Sequence, residues 1–292
     1  MEPRRTHRRR LRAQPLIHLV PNIFTVMSLC FGLTSIRYAL DHRYELAVTL
    51  ILLAALFDGL DGSAARLLKI TSRLGAELDS LADFLSFGVA PAILLYLWSL
   101  NQVRGIGWVF ALLFATCCAL RLARFNSEID DGTKPAWMAR FFTGMPAPAA
   151  AGCVLLPMLV SFAFAATWPR LWPVTALTML FVSMMMVSRV PTFSVKMVVL
   201  RVQPEWILPT LALVGMFVAA VVSAPWLTLL VIGLLYVASL PLGVLAARRA
   251  RLRHEQAAAE SEAGAQAPDK DRRLVSVVGS KRPHDPPTSP RG

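Results

Sequence analysis

Eight long apolar stretches dominate the chain, and they constrain its fold more than any other feature. Each is long enough, or nearly so, to cross a hydrocarbon core of about 30 Å as a helix of roughly 20 residues. A spanning segment must satisfy its own backbone hydrogen bonds, so helices are the default. We therefore predict an all-α polytopic membrane bundle with about eight transmembrane helices, and six as the lower limit. The stretches lie at residues 17–39, 44–66, 76–100, 106–125, 144–166, 171–188, 206–222 and 226–247.

The composition fits a bilayer better than it fits water. Hydrophobic residues make up 55% of the 292 positions and charged residues only 16%, whereas soluble domains carry about a quarter charged residues. The net charge of +12 raises the question of nucleic acid, but the basic residues are concentrated in alternate loops between the apolar stretches. We therefore expect a lipid bilayer as partner and no nucleic acid.

The basic residues also predict the orientation in the membrane. Cytoplasmic loops carry an excess of Lys and Arg, so the richer side, with both termini, is expected to face the cytoplasm. The compactness of the chain favours the cytoplasmic (inner) membrane of a bacterium. The poorer side has Arg37, Arg43, Arg104 and Arg170. The richer side has Arg4, Arg5, Arg8, Arg9, Arg10, Arg12, Arg66, Lys69, Arg73, Arg121, Arg124, Lys134, Arg140, Arg189, Lys196, Arg201, Arg248, Arg249, Arg251 and Arg253.

Three regions are predicted along the chain. Residues 1–16 form a basic cytoplasmic segment, residues 17–247 the transmembrane domain, and residues 248–292 a cytoplasmic tail that is first basic and then disordered. The Arg-rich start resembles a signal peptide, but the apolar stretch after it is too long and lacks a clean cleavage site. The tail is poor in apolar residues and rich in Pro, which predicts disorder.

Four aspartates interrupt the second and third apolar stretches, at positions 58, 61, 79 and 83. Each acidic residue at the centre of a span costs roughly 2.5–3.5 kcal/mol on insertion scales. Their spacing places them on two helix faces: Asp58 is followed by Gly62 and Arg66 at steps of four, and Gly75 by Asp79 and Asp83. A short turn around residues 69–73 would make the two helices antiparallel neighbours. The four carboxylates are then expected to meet at one depth, where small residues leave room for close helix approach or a ligand.

Converging carboxylates repel one another unless a cation lies between them. Hard oxygen ligands suit Mg²⁺, Mn²⁺ or Ca²⁺, and Arg66 alone does not balance four negative charges. We therefore predict one or two divalent ions, with Mg²⁺ or Mn²⁺ as the cofactor, in a site able to stabilise phosphorus chemistry. A transporter with an ion pathway also uses intramembrane carboxylates, but it does not account for the glycine and arginine positions.

These residues carry a family resemblance. The stretch matches the pattern D-x2-D-G-x2-A-R-x8-G-x3-D-x3-D and is identified as the signature of the CDP-alcohol phosphatidyltransferase family. Its eight fixed positions are Asp58, Asp61, Gly62, Ala65, Arg66, Gly75, Asp79 and Asp83. The pattern is highly specific, so a chance match is negligible.

The resemblance implies a role for each position. Asp58, Asp61 and Asp79 hold metal, while Asp83 assists with metal and acts as the base on the acceptor hydroxyl. Positions of the nucleotide-lipid surface are also implied. They are Gly62, Ala65, Arg66 and Gly75 in the signature, and Asn22 and Thr25 in the first helix. Asn22 and Thr25 also suit a helix start.

Four further segments narrow the acceptor alcohol. They read VPNIFTVMSLCFGLTSI, LRLARFN, FTGMPAPAAAG and SRVPTFSVKM, and together they resemble the membrane-bound phosphatidylserine synthase subfamily over roughly residues 15 to 245. The resemblance implies transfer of a phosphatidyl group from CDP-diacylglycerol to L-serine, by a homodimer. Glycerol phosphate, inositol phosphate and choline remain alternative acceptors, and an ion-coupled transporter is the alternative outside the family.

One basic pair suits a carboxylate or phosphate on the acceptor. Arg121 and Arg124 lie three positions apart at the cytoplasmic end of the fourth apolar stretch, and arginine binds such groups through paired donors. Asn126 adds a further donor or acceptor. Cytoplasmic topology alone also accounts for this pair.

Overall fold

A computed structural model of the chain describes residues 20–68, 73–130, 141–188, 191–193 and 207–241. Within these ranges the architecture is helical, as predicted. The basic segment 1–16, most of the turn predicted at 69–73, and the tail 248–292 lie outside the described residues.

The helices follow the apolar stretches closely. They are α1 (Val20–Leu40), α2 (Tyr44–Leu68), α3 (Arg73–Asp83), α4 (Ala90–Trp98), α5 (Arg104–Asp130), α6 (Ala147–Val154), α7 (Leu156–Phe164), α8 (Trp172–Val187), α9 (Ile207–Ser223) and α10 (Pro225–Pro241). A π-helical turn at Phe84–Val89 joins α3 to α4. Short 3-10 turns at Leu100–Val103 and Trp168–Arg170 precede α5 and α8.

Four of the described helical segments are long and apolar enough to cross a membrane: Val20–Leu40, Tyr44–Leu68, Leu74–Trp98 and Leu100–Ser127. The pair α6 and α7, bent by 43°, would make a fifth. Pro157 stands in the first turn of α7, where proline removes a backbone donor and favours such a break. Helices α8, α9 and α10 are apolar but shorter, so the predicted count of about eight spans is not confirmed.

Large apolar side chains cover the outside of the helices. Leu67 on α2 is 84% exposed, Leu208 on α9 80% and Leu177 on α8 69%. Soluble monomers rarely expose continuous apolar surfaces of this kind, which are typical of contact with a membrane. The chain is therefore an integral membrane protein.

Small and hydroxyl-bearing residues line the face of α1 that packs on its neighbours. Thr25, Ser28, Gly32 and Ser35 are all buried, and Ser28 and Ser35 donate hydrogen bonds of 3.0 and 2.9 Å to main-chain oxygens of α2. A Cβ atom at Gly32 would collide with Ser86 of the π-helical turn. Small residues allow this close approach, so α1 is packed tightly against both α2 and the turn.

The apolar core lies where α4, α5, α6, α7 and α8 meet. Leu94, Leu95, Phe114, Met158 and Met179 are completely or almost completely shielded. These side chains come from helices far apart in the sequence, and their packing fixes the position of α5 beside the π-helical turn. The core therefore holds one wall of the site described below.

One short antiparallel strand pair departs from a purely helical description. Phe141–Thr143 pairs with Pro191–Phe193, just before α6 and just after α8. Gly144 follows the first strand with φ +79°, and a Cβ atom there would lie 2.8 Å from the Met186 main-chain oxygen. Because L residues rarely adopt this backbone region, glycine is required at the turn into α6.

Candidate active site

Three carboxylates meet in one place. One oxygen from each of Asp58, Asp61 and Asp79 lies within 4.8 Å of the other two. Asp61 is 6% exposed, while Asp58 and Asp79 are half-buried. Asp58 and Asp61 share one face of α2 because they are three positions apart, and Asp79 reaches them from α3. The predicted convergence is confirmed for these three residues.

The backbones of α2 and α3 do not pack closely where their carboxylates meet. Among the described residues the two helices make few close backbone contacts, whereas α1 packs against both. Among the described residues, a Cβ atom at Gly62 would have no neighbour within 4 Å. We call the space that these residues leave beside the three carboxylates the cleft.

The three carboxylates fit a divalent cation. Mg²⁺ binds oxygens at about 2.0–2.1 Å in octahedral geometry, which places adjacent ligands about 3 Å apart and opposite ligands about 4 Å apart. The observed separations of up to 4.8 Å exceed these distances by amounts that side-chain rotations can span. Three buried or half-buried negative charges without a cation repel one another at this range. The Asp cluster could therefore hold a metal ion, through Asp58, Asp61 and Asp79.

Asp83 occupies a different position from the other three. It lies one turn beyond Asp79 at the end of α3, and its carboxyl shares a hydrogen bond with that of Asp58. Asp83 therefore contacts the cluster through Asp58.

Thr25 lies behind Asp61. Its hydroxyl lies 2.8 Å from Asp61 Oδ2 and 3.1 Å from the Pro21 main-chain oxygen, and Thr25 is 4% exposed. Its hydroxyl is thus held against a metal-ligand candidate, a contact that the sequence analysis did not identify. The run of small and hydroxyl-bearing residues on α1 was the available signal, and the predicted place of Thr25 on the nucleotide surface stays a prediction. Asn22, one turn earlier, is half-buried.

The remaining signature residues lie beside the cleft. Gly62 and Arg66 are exposed, and Ala65 and Gly75 are half-buried. The Arg66 guanidinium has a long contact of 3.4 Å with the Ser63 hydroxyl, and among the described residues it has no other hydrogen bond. The arrangement suits an anionic ligand lying over α2, and the predicted nucleotide role of these residues stays a prediction.

The three residues predicted to bind the acceptor face different surroundings. Arg121 is half-buried on α5, lies over the Phe125 ring at 5.8 Å, and is close enough to Asp58 and Asp83 for its charge to act on both. Asn126 instead donates a 2.9 Å hydrogen bond to the Ser80 hydroxyl and ties α5 to α3. Arg124 is half-buried. Arg121 therefore belongs to the carboxylate site, and topology alone does not explain it.

Two family models match the chain. The model described as CDP-alcohol phosphatidyltransferase matches residues 18–182, and the one described as CDP-alcohol phosphatidyltransferase 2 matches residues 205–241. The first match includes all four aspartates, and the second includes α9 and α10. The helices that build the site thus lie inside the matched ranges.

Several relatives share the name CDP-diacylglycerol–serine O-phosphatidyltransferase. The protein from Mycobacterium leprae (strain TN) is 44% identical over 242 residues, which are 82% of this chain and 79% of the relative. The protein from Mycobacterium tuberculosis (strain ATCC 25618 / H37Rv) is 41% identical over 232 residues, 80% of each chain. The protein from Helicobacter pylori (strain ATCC 700392 / 26695) is 41% identical over 144 residues, 49% of this chain and 59% of the relative. From its signature, its carboxylate cluster and these matches, the chain belongs to the CDP-alcohol phosphatidyltransferase family.

Proposed function

We propose that this chain transfers a phosphatidyl group from CDP-diacylglycerol to L-serine, giving phosphatidylserine and CMP, in phospholipid biosynthesis. The observation that carries the proposal is the group of three carboxylates beside an open cleft, with Arg121 close to Asp58 and Asp83. The choice of serine rests on relatives of that name, up to 44% identical over most of the chain. The acyl chains stay in the bilayer while the nucleotide enters the cleft.

The residues of the cluster take separate roles. Asp58, Asp61 and Asp79 hold one or two ions, Mg²⁺ or Mn²⁺, which supply positive charge to the pyrophosphate and the transferring phosphorus. Thr25 keeps the Asp61 carboxylate in position by its 2.8 Å contact. Such an outer hydrogen bond orients a ligand and tunes its affinity for metal.

Asp83 acts on the acceptor and also assists with metal through its contact with Asp58. It accepts the proton of the serine hydroxyl as the serine oxygen forms its bond to the phosphorus of the phosphatidyl group. The bond from that phosphorus to the CMP oxygen breaks, and CMP leaves with the electron pair. This is a direct displacement, without a covalent enzyme intermediate.

The cleft wall binds the nucleotide lipid. Gly62 and Gly75 leave room for it, Ala65 keeps the adjacent face small, and exposed Arg66 offers a cation to its phosphates. Asn22 contributes at the start of α1. Thr25 is buried and contributes through its contact with Asp61.

Arg121 binds the acceptor, with Arg124 beside it and Asn126 fixing α5 against α3. An arginine is suited to a carboxylate through charge-assisted donors. Because the guanidinium is half-buried, its charge is screened less by water than that of an exposed arginine. Serine offers such a carboxylate, whereas choline does not.

We also propose the full topology. About eight helices span the cytoplasmic (inner) membrane of a bacterium, with both termini and the cleft facing the cytoplasm. Residues 1–16 form a basic segment, 17–247 the catalytic domain and 248–292 a basic and then disordered tail. The enzyme acts as a homodimer, as the family resemblance implies.

One experiment tests both the reaction and the metal. Purified protein in mixed micelles with CDP-diacylglycerol is offered radiolabelled serine, glycerol 3-phosphate, inositol phosphate or choline, and lipid products are separated by thin-layer chromatography. We expect phosphatidylserine with serine only, abolished by EDTA and restored by Mg²⁺ or Mn²⁺. A different labelled lipid would overturn the acceptor, and full activity after thorough chelation would overturn the metal.

A further inference from the structure

Among the described residues, two polar atoms near the site are buried and have no hydrogen-bond partner. They are Nε of Arg121 on α5 and the hydroxyl oxygen of Tyr236 on α10. Leaving a buried donor unsatisfied costs about 1–3 kcal/mol, and more for a charged group. Most buried polar groups in native proteins have a partner. Two unpaired groups in one part of the fold therefore point to a ligand that supplies acceptors.

Tyr236 faces the interior of the fold because of how α10 is packed. Gly233, three positions earlier on the same helix face, lies so close to Leu156 that an added Cβ atom would be 2.6 Å from its side chain. The Trp226 ring lies 5.1 Å from the Phe162 ring. Tyr236 itself packs against the apolar core, so its hydroxyl is held in place rather than free on the surface.

Arg121 interacts electrostatically both with Tyr236 and with the carboxylates of the site. The charge of Arg121 acts on Asp83 and Asp58, and also on Tyr236. Tyr236 in turn is close to Arg121 and Cys153. An anion held by Arg121 and Tyr236 would therefore lie beside the proposed base, outside the group of three metal-ligand candidates.

We propose that Arg121 and Tyr236 together bind the carboxylate of the acceptor amino acid. Arg121 Nε and the Tyr236 hydroxyl each donate to a carboxylate oxygen, which satisfies both buried groups and leaves the serine hydroxyl directed towards Asp83. This inference rests on the proposed function and adds Tyr236 as a residue that determines acceptor specificity. A carboxylate suits the pair because it accepts two donors in one plane.

The pyrophosphate of the nucleotide lipid is an alternative source of anionic oxygens. It is less suited to this place, because its charge is to be balanced by cations at Asp58, Asp61 and Asp79. If Tyr236 binds the serine carboxylate, its loss raises the KM for L-serine. If it binds the pyrophosphate, its loss raises the KM for CDP-diacylglycerol. The experiment therefore measures the KM of each substrate separately.

The test compares the full-length purified wild type with Tyr236→Phe, which keeps the ring and its packing. Losing one hydrogen bond to a charged group corresponds to an increase of about 10- to 100-fold in the KM for L-serine. The KM for CDP-diacylglycerol should change by less than about twofold, which also shows that the variant is folded. Tyr96→Phe is the matched control, because Tyr96 lies on α4 with its ring 5.2 Å from Trp108. It should leave both KM values unchanged.

A second measurement tests the carboxylate itself. Ethanolamine has the hydroxyl and ammonium of serine but no carboxylate, and it is titrated as a competitor of labelled serine. Tyr236→Phe should reduce the preference for serine over ethanolamine by the same factor that raises the serine KM. An unchanged serine KM overturns the inference, and so does an increase confined to CDP-diacylglycerol, which would assign the anion to the nucleotide lipid. If the wild type makes no phosphatidylserine, the proposed function itself fails, and the inference with it.

Discussion

Removing the Thr25 hydroxyl should weaken metal binding without removing any metal ligand. Thr25 is 4% exposed and lies 2.8 Å from Asp61 Oδ2, so Thr25→Val deletes a buried hydrogen bond while nearly preserving shape. A hydrogen bond to a charged group contributes about 1.5–3 kcal/mol. Outer contacts of metal ligands typically change metal affinity by about 10- to 100-fold. The two figures agree, since each 1.4 kcal/mol is a factor of about ten.

The assay is the concentration of free Mn²⁺ needed for half-maximal formation of phosphatidylserine. We expect it to rise about 10- to 100-fold in Thr25→Val and to return close to the wild-type value in Thr25→Ser, which restores a hydroxyl. The physical reason is that an unanchored Asp61 carboxylate must be ordered when the ion binds.

Thr34→Val is a matched control on the same helix. The Thr34 hydroxyl donates to the Cys30 main-chain oxygen at 2.6 Å, just as that of Thr25 approaches the Pro21 main-chain oxygen at 3.1 Å, but no hydrogen bond joins Thr34 to an aspartate among the described residues. Its Mn²⁺ requirement should stay within about twofold of wild type. Equal Mn²⁺ requirements in Thr25→Val and the wild type would refute the orienting role of Thr25.

Three further predictions concern the base, the orientation and the fold. Asp83→Asn should keep metal-dependent binding of CDP-diacylglycerol but lose turnover by about 10²–10⁴-fold, as removal of a general base does; near-normal turnover would exclude that role. In intact cells, an impermeant thiol reagent should label Arg43→Cys but not Lys134→Cys, because basic loops face the cytoplasm; the reverse pattern would place the cleft outside. Gly144→Ala should destabilise the protein by about 1–3 kcal/mol, because φ is +79° there, and thermal unfolding measures this. Gly152→Ala should not lower the melting temperature, because its added Cβ atom meets nothing within 4 Å in the part of the chain that the structure describes. Equal melting temperatures of the two variants would contradict the strain at Gly144.

The helices and the carboxylate cluster could be predicted from the sequence because each has a strong local signal. The apolar stretch 17–39 became α1, and 44–66 became α2, with ends shifted by a few residues. Asp58 and Asp61 share a face of an α-helix, because residues three positions apart are neighbours on its surface. Because an isolated carboxylate inside a span costs free energy, a common site with Asp79 was expected.

Other features have no comparable signal in one sequence. Hydrophobicity does not reveal the π-helical turn at Phe84–Val89, because the segment stays apolar in either form of helix. Nor does it distinguish a helix that spans the bilayer from a shorter apolar helix such as α8, which has 16 residues. The 2.9 Å hydrogen bond from the Asn126 amide to the Ser80 hydroxyl depends on the packing of α5 on α3, which the sequence does not reveal.

Helix α1 sets the geometry of the site. It has no carboxylate, yet Thr25 contacts Asp61 of α2, and Ser28 accepts a 3.1 Å hydrogen bond from Ser86 in the turn that directly follows Asp83. Gly32 lets that turn approach α1. The two carboxylate-bearing helices are therefore positioned through a third helix rather than by packing on each other. This arrangement leaves space beside α2 and α3 while holding oxygens of Asp58, Asp61 and Asp79 within 4.8 Å of one another.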